Sequence, residues 1–150
     1  MNMFVHAATP EDMRPLVTFL IGRFHSEYAE WFPSVSVDKV IRYVGDLVEN
    51  GVVFIAENDN GDILGVLSGK VGCYWFTDEK MVQDGFFYVA PEHRGTRCAS
   101  ALIKSLKAWA DMKGLKLECA AISGGDVDRR DRFYERNGFA RIGGVYRRVR

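Results

Sequence analysis

The sequence predicts a single layered domain of the α/β or α+β class, built on one mixed β-sheet. The chain has 150 residues, which is enough for one ordinary domain with a full hydrophobic core. Short apolar runs of strand length are interspersed with longer segments whose apolar residues recur at helical spacing. There is no internal repeat or Gly/Ser/Pro-rich linker, so we expect residues 1–150 to form one domain.

Charge excludes a uniformly basic binding protein. The 20 Lys+Arg side chains balance the 20 Asp+Glu side chains, which argues against nucleic acid or an anionic membrane as a partner. The charge is nevertheless uneven along the chain. Residues 1–75 hold 5 basic and 10 acidic side chains, and residues 76–150 hold 15 basic and 10 acidic ones. Two oppositely charged sites therefore remain compatible with the sequence.

The termini and cysteines predict a cytoplasmic protein. Met1–His6 has neither the basic nor the apolar region of a secretory signal, and no apolar run approaches the roughly 20 residues that span a bilayer. The three cysteines form no C-x-x-C pair, which fits thiols in a reducing compartment. The histidines His6, His25 and His93 have no metal-ligand spacing, so no metal site is predicted.

The first half of the chain predicts a strand, two helices and a hairpin. Phe4–Ala8 is a short apolar run, and Thr9 and Pro10 then predict the N-cap and first residue of a helix. A second helix of about Val37–Glu49 ends at an Asn-Gly pair. The hairpin strands flank a tight-turn cluster at 58–61, and they are Val52–Ala56 and Ile63–Gly69. An extension of the second strand to Phe76 stays open.

The second half predicts the remaining strands and helices. Phe86–Val89 is a strand that Pro91 ends, because proline cannot donate to a ladder. A long helix follows, with an apolar stripe from Ala99 to Ala110 and an end at Lys113-Gly114. The last predicted elements are a strand at Leu115–Ile122, a charged helix at Val127–Asn137 and a strand at Phe139–Val149.

The segment from Val89 to Leu102 predicts an anion site. A strand stops, a loop turns and a helix begins, so backbone N–H groups and the positive helix end converge. Such a point binds phosphate. Arg94 and Arg97 add charge there, and small residues keep the backbone accessible: Gly95, Ala99 and Ser100. The alternative is an ordinary strand-loop-helix crossover with two solvated arginines.

A second informative segment is Phe133–Phe139, in which an aromatic pair ends a helix and Gly-Phe opens a strand. Alone it is weak, since Tyr134 could simply pack. Together, however, the two segments resemble the GNAT family of N-acetyltransferases, which pass an acetyl group from acetyl-CoA to an amine. That family's Arg/Gln-x-x-Gly-x-Gly/Ala loop after Val-x-Pro is similar to Arg94–Ala99 after Val89-Ala90-Pro91, and its Tyr-x-x-x-Gly-Phe is similar to Tyr134–Phe139. Arg97 stands where the family's loop prefers glycine.

The resemblance implies a mostly antiparallel sheet flanked by helices, whose fourth and fifth strands splay apart around the co-substrate acetyl-CoA. The main chain of Tyr88 and Val89 would pair with the pantetheine arm, and an N–H near Val89 would reach the acyl carbonyl. The pyrophosphate would be cradled by the backbone of Arg94, Gly95, Thr96, Arg97, Cys98, Ala99 and Ser100.

The resemblance also implies that Tyr134 is the acid that protonates the departing thiolate. The resemblance does not identify the general base that takes the proton from the amine. Asp84 is the carboxylate closest to the end of the fourth strand, a water chain could serve instead, and the other candidates are Glu30, His25 and Glu118.

The acceptor is expected to enter beside the first two helices. Carboxylates and aromatic rings there attract cations, and they are Glu27, Tyr28, Glu30, Trp31 and Phe32. The aromatic residues could instead pack the end of the first helix.

The sequence predicts N-acetyl transfer to a small-molecule or protein amine, and it leaves a homodimer open. Two other functions stay open: an acyl-CoA-binding module without turnover, and a protein-interaction module.

Overall fold

A five-stranded sheet with the order β1-β2-β3-β4-β5 forms the centre of the structure, a computed structural model that describes residues 2–120 and 126–150. The first three strand pairs are antiparallel and the β4–β5 pair is parallel, so the predicted mixed, mostly antiparallel sheet is confirmed. The strands are β1 (Met3–Ala7), β2 (Val52–Asn58), β3 (Ile63–Gly72), β4 (Met81–Val89) and β5 (Leu117–Glu118).

Helices cover both faces of the sheet. The first begins where Thr9 and Pro10 predict it, with a 3-10 turn at Pro10–Asp12. It then continues through α1 (Met13–Phe19), a π-helical segment (Leu20–His25) and α2 (Ser26–Tyr28). The other helices are α3 (Val37–Asn50), α4 (Cys98–Met112) and α5 (Val127–Arg136). Within the described ranges, no helix is long and apolar enough to cross a membrane.

Two apolar clusters fix the helices to the sheet. Successive residues of a strand point to opposite faces of the sheet, so Val66 and Leu67 of β3 enter different clusters. The cluster under α1 and α3 includes Leu16, Val44, Leu47, Ile55 and Val66. The cluster under α4 includes Leu64, Leu67, Val82, Leu102, Ile103 and Leu106.

A bulge in the β3–β4 pair interrupts this alternation beside the site. The register shifts between Leu67 and Gly69, and the Ser68 side chain, fully buried, accepts a hydrogen bond from the Phe86 N–H at 2.8 Å. A β-carbon at Gly85 would overlap the Tyr43 hydroxyl and the Ser68 hydroxyl, so this position requires glycine. The bulge allows β4 to turn Phe86 into the α1/α3 cluster.

The fourth and fifth strands diverge almost at once, as predicted. They pair only at Val82–Leu117 and Gln83–Glu118. From Asp84 to Val89, the outer edge of β4 has no strand partner among the described residues. This leaves an open backbone edge beside the N-terminus of α4.

Two sequence predictions need correction. The described part of the fifth strand is only Leu117–Glu118, and residues 121–125 of the predicted span lie outside the described residues. The predicted strand at Phe139–Val149 is wrong, because this segment is irregular and its side chains are largely exposed, Tyr146 by 88%. The Gly143-Gly144 pair interrupts the segment, and a strand needs a neighbouring ladder, which the described two-residue β5 does not supply.

We predict that Ser68→Ala destabilises the protein by about 1–3 kcal/mol, because the buried Phe86 N–H loses its acceptor. Urea unfolding monitored by circular dichroism measures this change. The matched control is Ser105→Ala, whose hydroxyl only donates back to the Ala101 carbonyl within α4. We expect that control to shift the unfolding free energy by less than about 0.5 kcal/mol. Equal shifts in the two variants would contradict the role given to the bulge.

Candidate active site

The loop between β4 and α4 has the geometry of an anion site. After the 3-10 turn at Pro91–His93, Gly95 adopts φ +78°, a left-handed conformation that glycine tolerates. Arg97 has φ −73° and ψ −5°, which is right-handed backbone that any side chain can adopt. The arginine in place of the family's glycine therefore causes no backbone strain.

Several N–H groups of this loop are available to a ligand. Thr96 accepts from the Cys98 N–H at 3.3 Å, and α4 begins with Cys98. Within the described residues no acceptor is found for the N–H groups of Gly95, Thr96, Arg97, Ala99 and Ser100. Free N–H groups at the start of a helix suit a phosphate, so these residues fit a pyrophosphate.

The Arg94 side chain is directed away from that anion site. Its guanidinium pairs with Glu27 at 2.8 Å, and its Nε donates to the Val89 carbonyl at 2.9 Å. The Tyr88 hydroxyl donates to the same Glu27 carboxylate at 2.6 Å, and the guanidinium carbon lies 5.4 Å from the Tyr88 ring centroid. We call Glu27, Tyr88 and Arg94 the clamp. Burial favours a raised pKa for Glu27, but hydrogen bonds from Arg94 and Tyr88 lower that pKa overall.

Four of the five predicted acceptor residues divide into two pairs, Glu27 with Tyr28 and Glu30 with Trp31. Glu27 belongs to the clamp, and the Tyr28 ring packs on Phe24 with centroids 4.9 Å apart. Burial and the Glu27 charge raise the Tyr28 pKa, while the charges of Arg94 and Arg130 oppose that shift. Glu30 and Trp31 are exposed. The first pair therefore lies against the loop and the second remains open to solvent.

Asp84 lies where β4 and β5 diverge. Its Oδ1 accepts from the Ala120 N–H at 2.8 Å. Its Oδ2 is buried and has no donor within residues 2–120 and 126–150. Burial raises the pKa of this carboxyl, and the nearby Glu118 charge adds to the effect. The site thus presents a buried carboxylate oxygen to which no described residue donates.

Tyr134 approaches Asp84 from α5. Its pKa is raised by burial first and then by Cys119 and Asp84, so the hydroxyl keeps its proton at neutral pH. Gly138 has φ +89°, and the Phe139 N–H donates to the Tyr134 carbonyl at 2.9 Å. The chain therefore turns back at this point, and the Phe139 ring packs against the Tyr134 ring. The Tyr-x-x-x-Gly-Phe spacing thus has a structural cause.

The other candidate bases differ from Asp84. His25 Nε2 lies 2.8 Å from the Phe32 carbonyl, and Glu118 accepts from the Tyr74 hydroxyl. Glu30 is exposed. Of the four candidate bases, only Asp84 has a buried oxygen to which no described residue donates.

Sequence reasoning missed two arginines of α5 and one cysteine. The Arg129 guanidinium reaches the loop, with Nη2 3.5 Å from where a β-carbon on Gly95 would lie. The Arg130 charge acts on both Tyr28 and Tyr134. Cys119 neighbours Asp84 and Tyr134 electrostatically, and burial raises its thiol pKa. The Asp-Arg-Arg-Asp-Arg run of this helix could have indicated these arginines as site residues, but such a run is equally typical of a solvent-exposed helix face.

Comparisons with known proteins agree with this geometry. The family model described as acetyltransferase (GNAT) domain matches residues 49–141. Comparison with curated proteins gives no match. Among solved structures, the chain is similar to AAC(6')-Iy in complex with the bisubstrate analogue CoA-S-monomethyl-acetylneamine, with TM-score 0.74, 17% identity, and 100% of this chain and 99% of that chain covered.

Two further solved structures are similar over nearly their whole length. One is a predicted acetyltransferase with acetyl-CoA from Clostridium acetobutylicum, with TM-score 0.75, 20% identity and coverage of 99% of this chain and 96% of that chain. The other is glucosamine-6-phosphate N-acetyltransferase from Arabidopsis thaliana, with TM-score 0.70, 15% identity and 99% coverage of both chains. At these identities the likeness shows a shared fold.

We predict that Asp84→Asn stabilises the protein at pH 7 but much less at pH 4. A carboxyl whose folded pKa is raised binds more protons when folded, so its contribution to stability falls as pH rises above the unfolded pKa of about 3.9. The amide keeps an oxygen for the Ala120 N–H. Urea unfolding at the two pH values gives the difference between wild type and variant. A difference that does not change with pH would contradict the raised pKa.

Proposed function

The chain belongs to the GNAT acetyltransferase family, and we propose that it transfers an acetyl group from acetyl-CoA to a primary amine by direct attack in a ternary complex. The acceptor is a small molecule, or a lysine or N-terminal amine of a protein. The observation that carries this proposal is the proximity of Asp84 to the protonated Tyr134 at the divergence of β4 and β5, where no described residue donates to the Asp84 Oδ2.

The residues around the divergence fit acetyl-CoA. The pyrophosphate would be bound by the loop N–H groups that have no acceptor among the described residues, those of Gly95, Thr96, Arg97, Ala99 and Ser100. Arg129 would supply positive charge there, since Arg94 is paired with Glu27. The outer edge of β4 has no strand partner at Tyr88 and Val89 among the described residues, and it would pair with the pantetheine amides. The Val89 carbonyl would exchange its contact with Arg94 Nε for one of these amides. When bound, acetyl-CoA supplies the thioester that is attacked and the thiolate that leaves.

Asp84 is proposed to accept the proton of the attacking amine. Only a neutral amine has the lone pair that attacks a thioester. The raised pKa of Asp84 makes its carboxylate a stronger base than an exposed one, and no described residue donates to its buried Oδ2. An N–H near Val89 would stabilise the charge that develops on the acyl oxygen.

Tyr134 is proposed to return a proton to the thiolate. Its raised pKa would by itself make it a weak acid. The same surroundings, however, raise the pKa of the Cys119 thiol, so a thiolate formed there also becomes more basic. The two shifts compensate, and the transfer stays accessible. The two similar proteins whose names identify an amine-bearing ligand or substrate, an acetylneamine analogue and glucosamine-6-phosphate, support an amine acceptor here.

We predict that Tyr134→Phe lowers kcat by about 100-fold or more while the KM for acetyl-CoA stays within about twofold, because only proton return is lost. Release of free thiol over a panel of amines measures both constants. The control is Tyr146→Phe, an exposed tyrosine expected to keep wild-type turnover. Equal turnover of wild type and Tyr134→Phe would remove this residue from the mechanism.

We predict that Arg129→Gln raises the Kd of acetyl-CoA about 3- to 10-fold, because a charge beside the pyrophosphate is lost. Its effect on S-acetylpantetheine, which lacks the pyrophosphate, should be less than twofold. Isothermal titration provides the first value, and KM provides the second. Arg132→Gln, exposed on the same helix, is the control and should bind like wild type. Equal weakening for both donors would show that Arg129 does not meet the phosphates.

A further inference from the structure

Trp31 and Phe32 form an aromatic shelf on the turn after α2. Their side chains are 52% and 44% exposed. Their N–H groups donate to the Tyr28 carbonyl at 3.0 and 2.9 Å, and His25 Nε2 lies 2.8 Å from the Phe32 carbonyl. Local hydrogen bonds therefore hold the backbone that carries both exposed rings.

A guanidinium from the same chain occupies this shelf. The Arg147 Cζ lies 5.5 Å from the Trp31 ring centroid and 4.6 Å from that of Phe32. Its Nη1 donates to the Trp31 carbonyl at 3.3 Å. Aromatic faces and a carbonyl oxygen are groups that attract a cation, so the shelf is a cation site with an internal occupant.

The internal cation is weakly held. Arg147 belongs to the irregular, exposed segment after Phe139, and no carboxylate of the described ranges forms an ion pair with its guanidinium. An exposed cation–π contact changes an equilibrium by about twofold to fivefold. A cation from solution therefore has only this small advantage of Arg147 to overcome at the shelf.

The shelf lies at the edge of the proposed active site. Tyr28, whose carbonyl accepts from both shelf N–H groups, directly follows Glu27 of the clamp. Its ring packs on Phe24 with centroids 4.9 Å apart, and the Phe24 ring lies 5.6 Å from that of Tyr88. We infer that Trp31 and Phe32 bind a second cationic group of the acceptor, which displaces Arg147. The acceptor class is then a molecule that carries a guanidinium or ammonium group apart from the amine that is acetylated. This inference rests on the proposed function.

A binding experiment tests the shelf without catalysis. The probe is methylguanidinium chloride, titrated into the full chain while the Trp31 indole N–H is followed by NMR and assigned with Trp31→Phe. Arg147→Ala should tighten methylguanidinium binding about twofold to fivefold, because the internal competitor is gone. Arg148→Ala, a neighbouring exposed arginine, should bind like wild type. Unchanged affinity in Arg147→Ala, or an equal gain in Arg148→Ala, would overturn the cation site.

A kinetic experiment tests its place in the acceptor pocket. Agmatine carries an amine and a guanidinium, and n-pentylamine carries only the amine. Arg147→Ala should lower the KM of agmatine about twofold to fivefold and leave that of n-pentylamine unchanged, while Trp31→Ala should raise the KM of agmatine alone. Equal changes for both amines would overturn the inference. If neither amine is acetylated by any variant, the proposed function fails for this acceptor class, whereas the NMR titration still decides the cation site.

Discussion

The unpaired outer edge of β4 is the feature on which the rest of the site depends. Backbone N–H and C=O groups in a protein interior need partners, and β5 supplies them only at Val82 and Gln83. The bulge held by Ser68 lies in the same stretch, where β4 passes between the two apolar clusters. An extended ligand with amide groups can complete this edge, and the loop that follows offers N–H groups for its anionic end.

The clamp connects the two halves of the chain at this edge. Glu27 comes from the net acidic half and Arg94 from the net basic half, so the opposite charges seen along the sequence meet in one ion pair. The pair holds the end of β4 and the start of the loop against α2. It also removes Arg94 from the anion site, and Arg129 of α5 lies where that charge is needed. The whole arrangement therefore requires α1, α2, α4 and α5 together.

Local patterns in the sequence predicted most of the fold and the centre of the site. Gly95 and Gly138 mark positions of positive φ, and Thr9 and Pro10 mark a helix start, because each is a requirement of the backbone next to it. The clamp could not be predicted, since its ion pair joins residues 67 positions apart. The final strand was predicted wrongly, because apolar residues such as Ile142 and Val145 form a strand only where a neighbouring ladder exists.

Amide hydrogen exchange with and without coenzyme A tests the central claim, that an acyl-CoA occupies the gap beside β4. Bound coenzyme A should slow exchange in residues 84–89, where its arm would pair with the strand, and in residues 95–100, where its pyrophosphate would take up free N–H groups. Exchange in α3, on the other face of the sheet, should stay the same. Binding that leaves both segments unchanged, or that slows exchange only elsewhere, would contradict the account.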